Sequence, residues 1–205
     1  MNYVAVSQRI DFYSKRNEIR DALDQRINQF LLKAGYLPVP VPNNLLEKKS
    51  KVKNSLINLS EWIKNRPFKA VLLSGGNDIG VFKQRDLTES YLIKYARKNK
   101  LPLLGICRGM QMMGVCAGIK LKKVKGHVNT FHKLSGSINR VVNSYHENSL
   151  TKCPDDYKVI AYSEDKEIEA IRHNDLCWEG WMWHPERENK FDSKDMKRIK
   201  DLFEN

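Results

Sequence analysis

Leu103-Leu104-Gly105-Ile106-Cys107-Arg108-Gly109-Met110-Gln111 reads as an apolar strand that runs into a cysteine and then opens a glycine-flanked helix. A cysteine at such a junction is chemically favoured. The thiolate is the nucleophilic form, and a helix N-terminus stabilises an anion through its partial positive charge and its unpaired N–H groups. Gly105 and Gly109 relieve crowding where strand turns into helix, as a strained nucleophile elbow requires. A free cysteine in ordinary core packing gives the same local pattern, so partners elsewhere must decide between the two readings.

One partner segment lies near the C-terminus, in Trp181-Met182-Trp183-His184-Pro185-Glu186. In extended backbone, alternate side chains share a face, so His184 and Glu186 are expected to emerge together with Pro185 stiffening the link. Nucleophilic cysteine chemistry needs this pair: a histidine to move the proton and a carboxylate to hold its tautomer. A second segment, Ala70-Val71-Leu72-Leu73-Ser74-Gly75-Gly76-Asn77-Asp78, reads as a buried strand followed by a glycine turn that can present a backbone N–H to a neighbouring strand end.

In chain order the segments form an oxyanion loop, a cysteine elbow and a His-x-Glu, and together they resemble the class I glutamine amidotransferase family with its Cys-His-Glu triad. The string Gly105-Ile106-Cys107-Arg108-Gly109-Met110-Gln111 and the element Arg85-Asp86-x-x-Glu89 look like its gamma-glutamyl-gamma-aminobutyrate hydrolase branch. The resemblance spans nearly the whole chain. It implies one α/β domain over 1–205, with a mainly parallel, flavodoxin-like central sheet, helices on both faces and a small antiparallel sheet. It implies Cys107 as nucleophile, His184 as base and acid, Glu186 as the orienting carboxylate, and the backbone N–H groups of Gly76 and Arg108 as the oxyanion hole. Gln111 and the Asn143–Asn148 loop, with Tyr145, His146 and Glu147, would receive the glutamyl portion of a substrate. The implied reaction is hydrolysis of a gamma-glutamyl amide through a glutamyl thioester, with no cofactor and no metal. A hydrolase for gamma-glutamyl-gamma-aminobutyrate, a glutaminase subunit feeding a synthase and a catalytically silent binding protein are the competing readings, and the intact Cys107, His184 and Glu186 argue against the silent one.

Composition bounds the partners. The 205 residues, 41% of them hydrophobic, suit one domain with a substantial core. Cys107, Cys116, Cys153 and Cys177 show no C-x-x-C spacing, so neither a disulfide framework nor a zinc site is expected. The N-terminal residues lack a signal-peptide pattern and no apolar run is long enough to span a bilayer, so a cytoplasmic protein is expected. A net charge of +12 favours an anionic partner. The lysines are scattered without a nucleic-acid module, which leaves a solvated surface or a small anionic, nucleotide-bearing gamma-glutamyl substrate; a homo-oligomer stays open.

Strand and helix patterns alternate along the first half. Tyr3–Val6 reads as a strand, Ile19 to Ala34 as a helix capped by Gly35, Leu37–Val41 as a strand, and Leu56 to Ile63 as a helix. Lys48 to Lys53 and Gly126 to Ser137 read as loops. The second half changes to short strands at Ile138–Val142, Val159–Tyr162, Ile168–Ile171 and Leu176–Trp183, with a turn at Glu164-Asp165-Lys166 and a last helix capped by Asp192 or Ser193. Arg85-Asp86-x-x-Glu89 also looks like a capping box, which is the reading preferred from the residues. Arg108's side chain is expected to pair structurally, His127 and His132 to be loop or surface histidines, Cys116 to be buried, and Trp178, Trp181 and Trp183 to be strand core.

Overall fold

The computed structural model describes residues 2–46 and 57–204, so the Lys48 to Lys53 run lies outside the described residues. In chain order these residues form β1 (Asn2–Ser7), β2 (Arg9–Tyr13), β3 (Glu18–Ala22), α1 (Gln25–Ala34), β4 (Tyr36–Val41), α2 (Ile57–Ile63), β5 (Phe68–Leu73), α3 (Lys83–Asn99), β6 (Leu103–Ile106) and α4 (Arg108–Cys116). They continue with β7 (Leu121–Lys123), β8 (Val128–Lys133), β9 (Ser135–Gly136), β10 (Val141–Tyr145), β11 (Asn148–Leu150), β12 (Tyr157–Tyr162), β13 (Ile168–His173), β14 (Trp178–Trp181) and α5 (Ser193–Glu204). The eight-stranded central sheet runs β4-β1-β5-β6-β14-β13-β12-β9. Its first five strands are mutually parallel. From β14 onward the pairing is antiparallel, and β2–β3, β7–β11 and β8–β10 make three two-stranded antiparallel ribbons.

The parallel strands are apolar on both faces, and their period of two sorts them into two cores. Val4 and Val6, Ala70 and Leu72, and Leu104 and Ile106 face α1 and α5, packing with Phe30, Leu31, Ile199 and Phe203. Ala5, Val71, Leu73 and Leu103 face α2, α3 and α4, packing with Ile63, Leu92, Ala96, Met110 and Met113. Trp178, Trp181 and Trp183 are fully buried, and the Trp181 and Trp183 rings stack with centroids 5.2 Å apart.

Several sequence expectations are corrected. The helix expected from Ile19 begins only at Gln25, because Asp24 caps it by accepting a hydrogen bond from the Arg26 N–H at 2.9 Å. Residues 9–22 instead form the β2–β3 hairpin, turned through Asn17 in the left-handed region, and Ile19 is 59% exposed. Ile19 and Leu23 share a helical spacing with Ile27 by coincidence. Ile138 lies outside β10, the Gly126 to Ser137 stretch contains β8 and β9, and Cys116 ends α4 on an exposed position. The Gly35 cap, the Glu164-Asp165-Lys166 turn and the Asp192 cap, whose Oδ1 accepts the Lys194 N–H at 2.7 Å, stand as read.

Candidate active site

Sheet order brings three chain segments to one place. β6 lies between β5 and β14, with Leu73 opposite Gly105 and Ile106 opposite Trp181. The glycine loop after β5, Cys107 after β6 and His184 after β14 therefore leave the carboxyl edge side by side, where α/β sheets gather reactive groups.

Cys107 takes φ 49° and ψ −104°, outside the regions a non-glycine residue ordinarily occupies. Such a conformation costs roughly 1–3 kcal/mol and persists only when the surroundings hold it. Here the Cys107 N–H donates to the Trp181 carbonyl at 2.6 Å, and the Cys107 carbonyl accepts the Gln111 N–H at 3.1 Å. The turn is possible because α4 approaches β5 at Gly109, where a Cβ would overlap the Leu73 carbonyl and lie 2.8 Å from the Leu73 Cβ.

The charge of the Cys107 side chain acts on the His184 ring. Its Nδ1 lies 2.6 Å from Glu186 Oε1, which leaves Nε2 as the nitrogen free for the thiol. Both residues are buried. Burial pulls the imidazole pKa down, but the charges of Glu186 and Cys107 outweigh it and raise the value to about 9. The imidazolium is thus the form favoured at neutral pH. Pro185–Arg187 is a 3-10 turn, not the extended segment expected, and the turn brings the Glu186 carboxylate back onto its neighbour's ring. Asn143, which the sequence placed only within a loop expected to receive the glutamyl group, fixes the His184 backbone from both sides. Its Oδ1 accepts the His184 N–H and its Nδ2 donates to the His184 carbonyl, each at 2.8 Å. Gly75 lies against the ring, where a Cβ would come 2.6 Å from His184 Cε1.

Arg85-Asp86-x-x-Glu89 is not a capping box. Arg85 and Glu89 are fully buried, and Glu89 accepts from Ser7 Oγ at 2.8 Å, from Arg85 Nε at 3.0 Å and from Arg108 Nη1. Arg85 Nη2 donates to the carbonyls of Ser74 and Gly75, both at 2.8 Å, and Arg108 Nε donates to that of Asn77 at 2.7 Å. The Arg108 side chain therefore runs into this network and also pairs with Asp86. Burial lowers both guanidinium pKa values to about 9. Because a trans peptide sets C=O and N–H on opposite sides, the Gly75 carbonyl bound to Arg85 turns the Gly76 N–H away from that arginine. The N–H of Arg108, at the first turn of α4, has no acceptor within its own helix. Asn77 joins the same loop to the hairpin, accepting the Ile10 N–H at 2.8 Å and donating to the Ile10 carbonyl at 2.9 Å. A cleft results, lined by Arg9, Gly75, Gly76, His184, Glu186 and Arg187.

The residues expected to meet a glutamyl group are distributed unevenly. Tyr145 sets its ring edge-on to His184 at 5.7 Å, and the Arg187 guanidinium lies over the Tyr145 ring at 4.6 Å. Gln111 is buried and donates to the Asn148 carbonyl at 3.0 Å. Glu147 is exposed and pairs with Lys123 at 3.3 Å. His146 is buried, together with His127, in a cluster that includes His132 and Glu169. His127, 1% exposed, is thus no surface histidine, and neither it nor Glu169 could be placed from spacing alone.

Residues 21–202 match the family model described as glutamine amidotransferase class-I. The chain is 35% identical over 127 residues to a gamma-glutamyl-CDP-amidate hydrolase of Campylobacter jejuni, covering 59% of this chain and 64% of that relative's length. It is 29% identical over 147 residues to a glutamine-hydrolyzing GMP synthase subunit of Methanocaldococcus jannaschii, covering 67% of this chain and 74% of the relative. Among solved structures, a glutamine amidotransferase from Thermotoga maritima superposes with a TM-score of 0.60 at 16% identity, covering 99% of this chain and 82% of that one. A Thermoplasma acidophilum protein proposed to be a GMP synthase subunit gives 0.71 at 19% identity, covering all of this chain and 93% of that one.

Proposed function

The chain belongs to the class I glutamine amidotransferase family, and from that premise we propose that it is a hydrolase of gamma-glutamyl amide bonds that works through a thioester on Cys107. The observation that carries the proposal is Cys107 in its strained turn at the same sheet edge as His184, whose imidazole Glu186 holds at 2.6 Å. The thiolate attacks the gamma-carbonyl, and the resulting oxyanion is taken by the N–H groups of Gly76 and Arg108. His184, protonated at neutral pH, gives its proton to the leaving nitrogen. It then takes a proton from water, which attacks the thioester, breaks the C–S bond and releases glutamate. Glu186 keeps Nε2 in register throughout, and Asn143 holds the backbone that carries the ring.

The leaving group is proposed to be a nucleotide-linked phosphoramidate, as in gamma-glutamyl-CDP-amidate. Two observations support an anionic leaving group: the net charge of +12 and the relative in Campylobacter jejuni. The similarity to GMP synthase subunits favours a second reading, a glutaminase that depends on a synthase partner. Glutamate release from gamma-glutamyl-CDP-amidate, gamma-glutamyl-gamma-aminobutyrate and glutamine, measured on the isolated chain, separates the readings. The proposal expects unaided turnover with the phosphoramidate preferred. Equal or absent turnover of that compound would remove the specificity, and glutamine turnover that appears only with an added synthase would favour the second reading.

A further inference from the structure

The His127, His132, His146 and Glu169 side chains converge, each offering one ligand atom, with all four atoms within 4.8 Å of one another. His127 leads into β8, His132 lies on it, His146 follows β10 and Glu169 is on β13. From this convergence we infer that the chain holds a structural zinc ion between the β8–β10 ribbon and the central sheet.

Three ligand atoms already have the spacing of a tetrahedron's face. His127 Nδ1 lies 3.2 Å from His146 Nε2 and 3.4 Å from Glu169 Oε1, and His146 Nε2 lies 3.3 Å from the same oxygen. A tetrahedral Zn2+ with ligands at about 2.0–2.1 Å holds them about 3.3–3.4 Å apart. His132 Nε2 supplies the fourth corner: it is buried with no hydrogen-bond partner, as is the second Glu169 oxygen. Four protein ligands make a closed site, which is a structural and not a catalytic arrangement.

The outer contacts set the tautomers that a metal needs. His146 Nδ1 lies 3.0 Å from the Asn148 carbonyl, so Nδ1 carries the hydrogen and Nε2 presents its lone pair inward. His127 Nε2 lies 2.9 Å from Asp165 Oδ2, so in the neutral ring Nε2 carries the hydrogen and Nδ1 presents its lone pair inward. Two lone pairs and a carboxylate then face one another at contact distance, which costs free energy unless a cation sits among them. The cation-free alternative is a proton on His127, whose pKa the Glu169 and Asp165 carboxylates raise to about 9 against the effect of burial. An imidazole-rich donor set with one carboxylate suits zinc better than calcium or magnesium. The ion would anchor His146 next to Tyr145, which packs on His184, and its outer contact at the Asn148 carbonyl also receives Gln111.

The test is to strip the full chain with a chelator, add ZnCl2, desalt and count zinc by plasma mass spectrometry. About one zinc per chain and a Tm about 5–10 °C above the stripped protein are expected. His132→Ala, at a half-buried position, should fold and retain at least tenfold less zinc, while His173→Ala, a buried histidine outside the cluster, should retain it. Cobalt substitution of the unmutated chain, read by the intense visible bands of a tetrahedral ion, keeps the test open if cluster variants misfold. Less than about a tenth of a zinc per chain would overturn the inference, as would zinc content unchanged by His132→Ala, or octahedral cobalt bands.

Discussion

Glu89→Gln isolates what holds the glycine loop against the elbow. Glu89 is the acceptor for one hydroxyl and two guanidinium groups, and with Asp86 it balances the charge of Arg85 and Arg108. Glutamine has nearly the same shape but offers one acceptor oxygen, and its amide donors face guanidinium donors. A buried pair broken from one side costs about 3–5 kcal/mol, because the remaining charge stays buried without compensation. For a chain of this size each kcal/mol shifts Tm by about 2–4 °C, so a fall of roughly 6–20 °C is expected. Urea unfolding measures the change as a lower midpoint at unchanged slope. Asp86→Asn sets the scale: the Asp86 side chain is 20% exposed, so water compensates part of its loss and about 1–2 kcal/mol is expected. Because the network also fixes the Ser74, Gly75 and Asn77 carbonyls, turnover should fall about 10²-fold in the folded fraction of Glu89→Gln. A Glu89→Gln midpoint within about 1 kcal/mol of the parent, or no larger a loss than Asp86→Asn, would refute the reasoning.

Gly109→Ala should destabilise by about 2 kcal/mol despite alanine's better helix propensity, since its Cβ overlaps the Leu73 backbone; a stabilised variant in thermal melts would mean α4 and β5 are not in such close contact. Gly75→Ala should reduce kcat at least tenfold with a smaller effect on Tm, because its Cβ displaces the His184 ring and not core packing, and unchanged kcat would contradict the placement of that ring. The His184 pKa of about 9 lies above its ordinary 6.5, so the imidazolium's contribution to stability is fully present below about pH 6.5 and is lost as pH rises through 9. An NMR titration of the ring should show its midpoint near 9 and a downward shift in Glu186→Gln. A parent midpoint at or below 6.5 would contradict the ion pair.

The parallel half of the fold was legible because each of its strands is a short apolar run, and because Gly35 marks a helix end by its positive φ. Residues 9–23 were not, since apolar residues on a hairpin can fall at helical spacings and Asp24 signals the true start only as an N-cap. Cys107, His184 and Glu186 were readable through local motifs. The remainder of the site depends on long-range pairing. Glu89 fits a capping box until Arg108, 19 residues away, arrives at its carboxylate, and Asn143 meets His184 across 41 residues. The histidine cluster is assembled from four separate chain positions, and no spacing within 127–169 resembles a familiar ligand motif.

The most direct measurement is intact-mass spectrometry of the protein acid-quenched during turnover of gamma-glutamyl-CDP-amidate, followed by peptide mapping. The account predicts a protein heavier by one glutamyl group, located on the Cys107 peptide, and neither that adduct nor glutamate release from Cys107→Ala. Glutamate release that survives in Cys107→Ala, or a glutamyl adduct on a different residue, would contradict it.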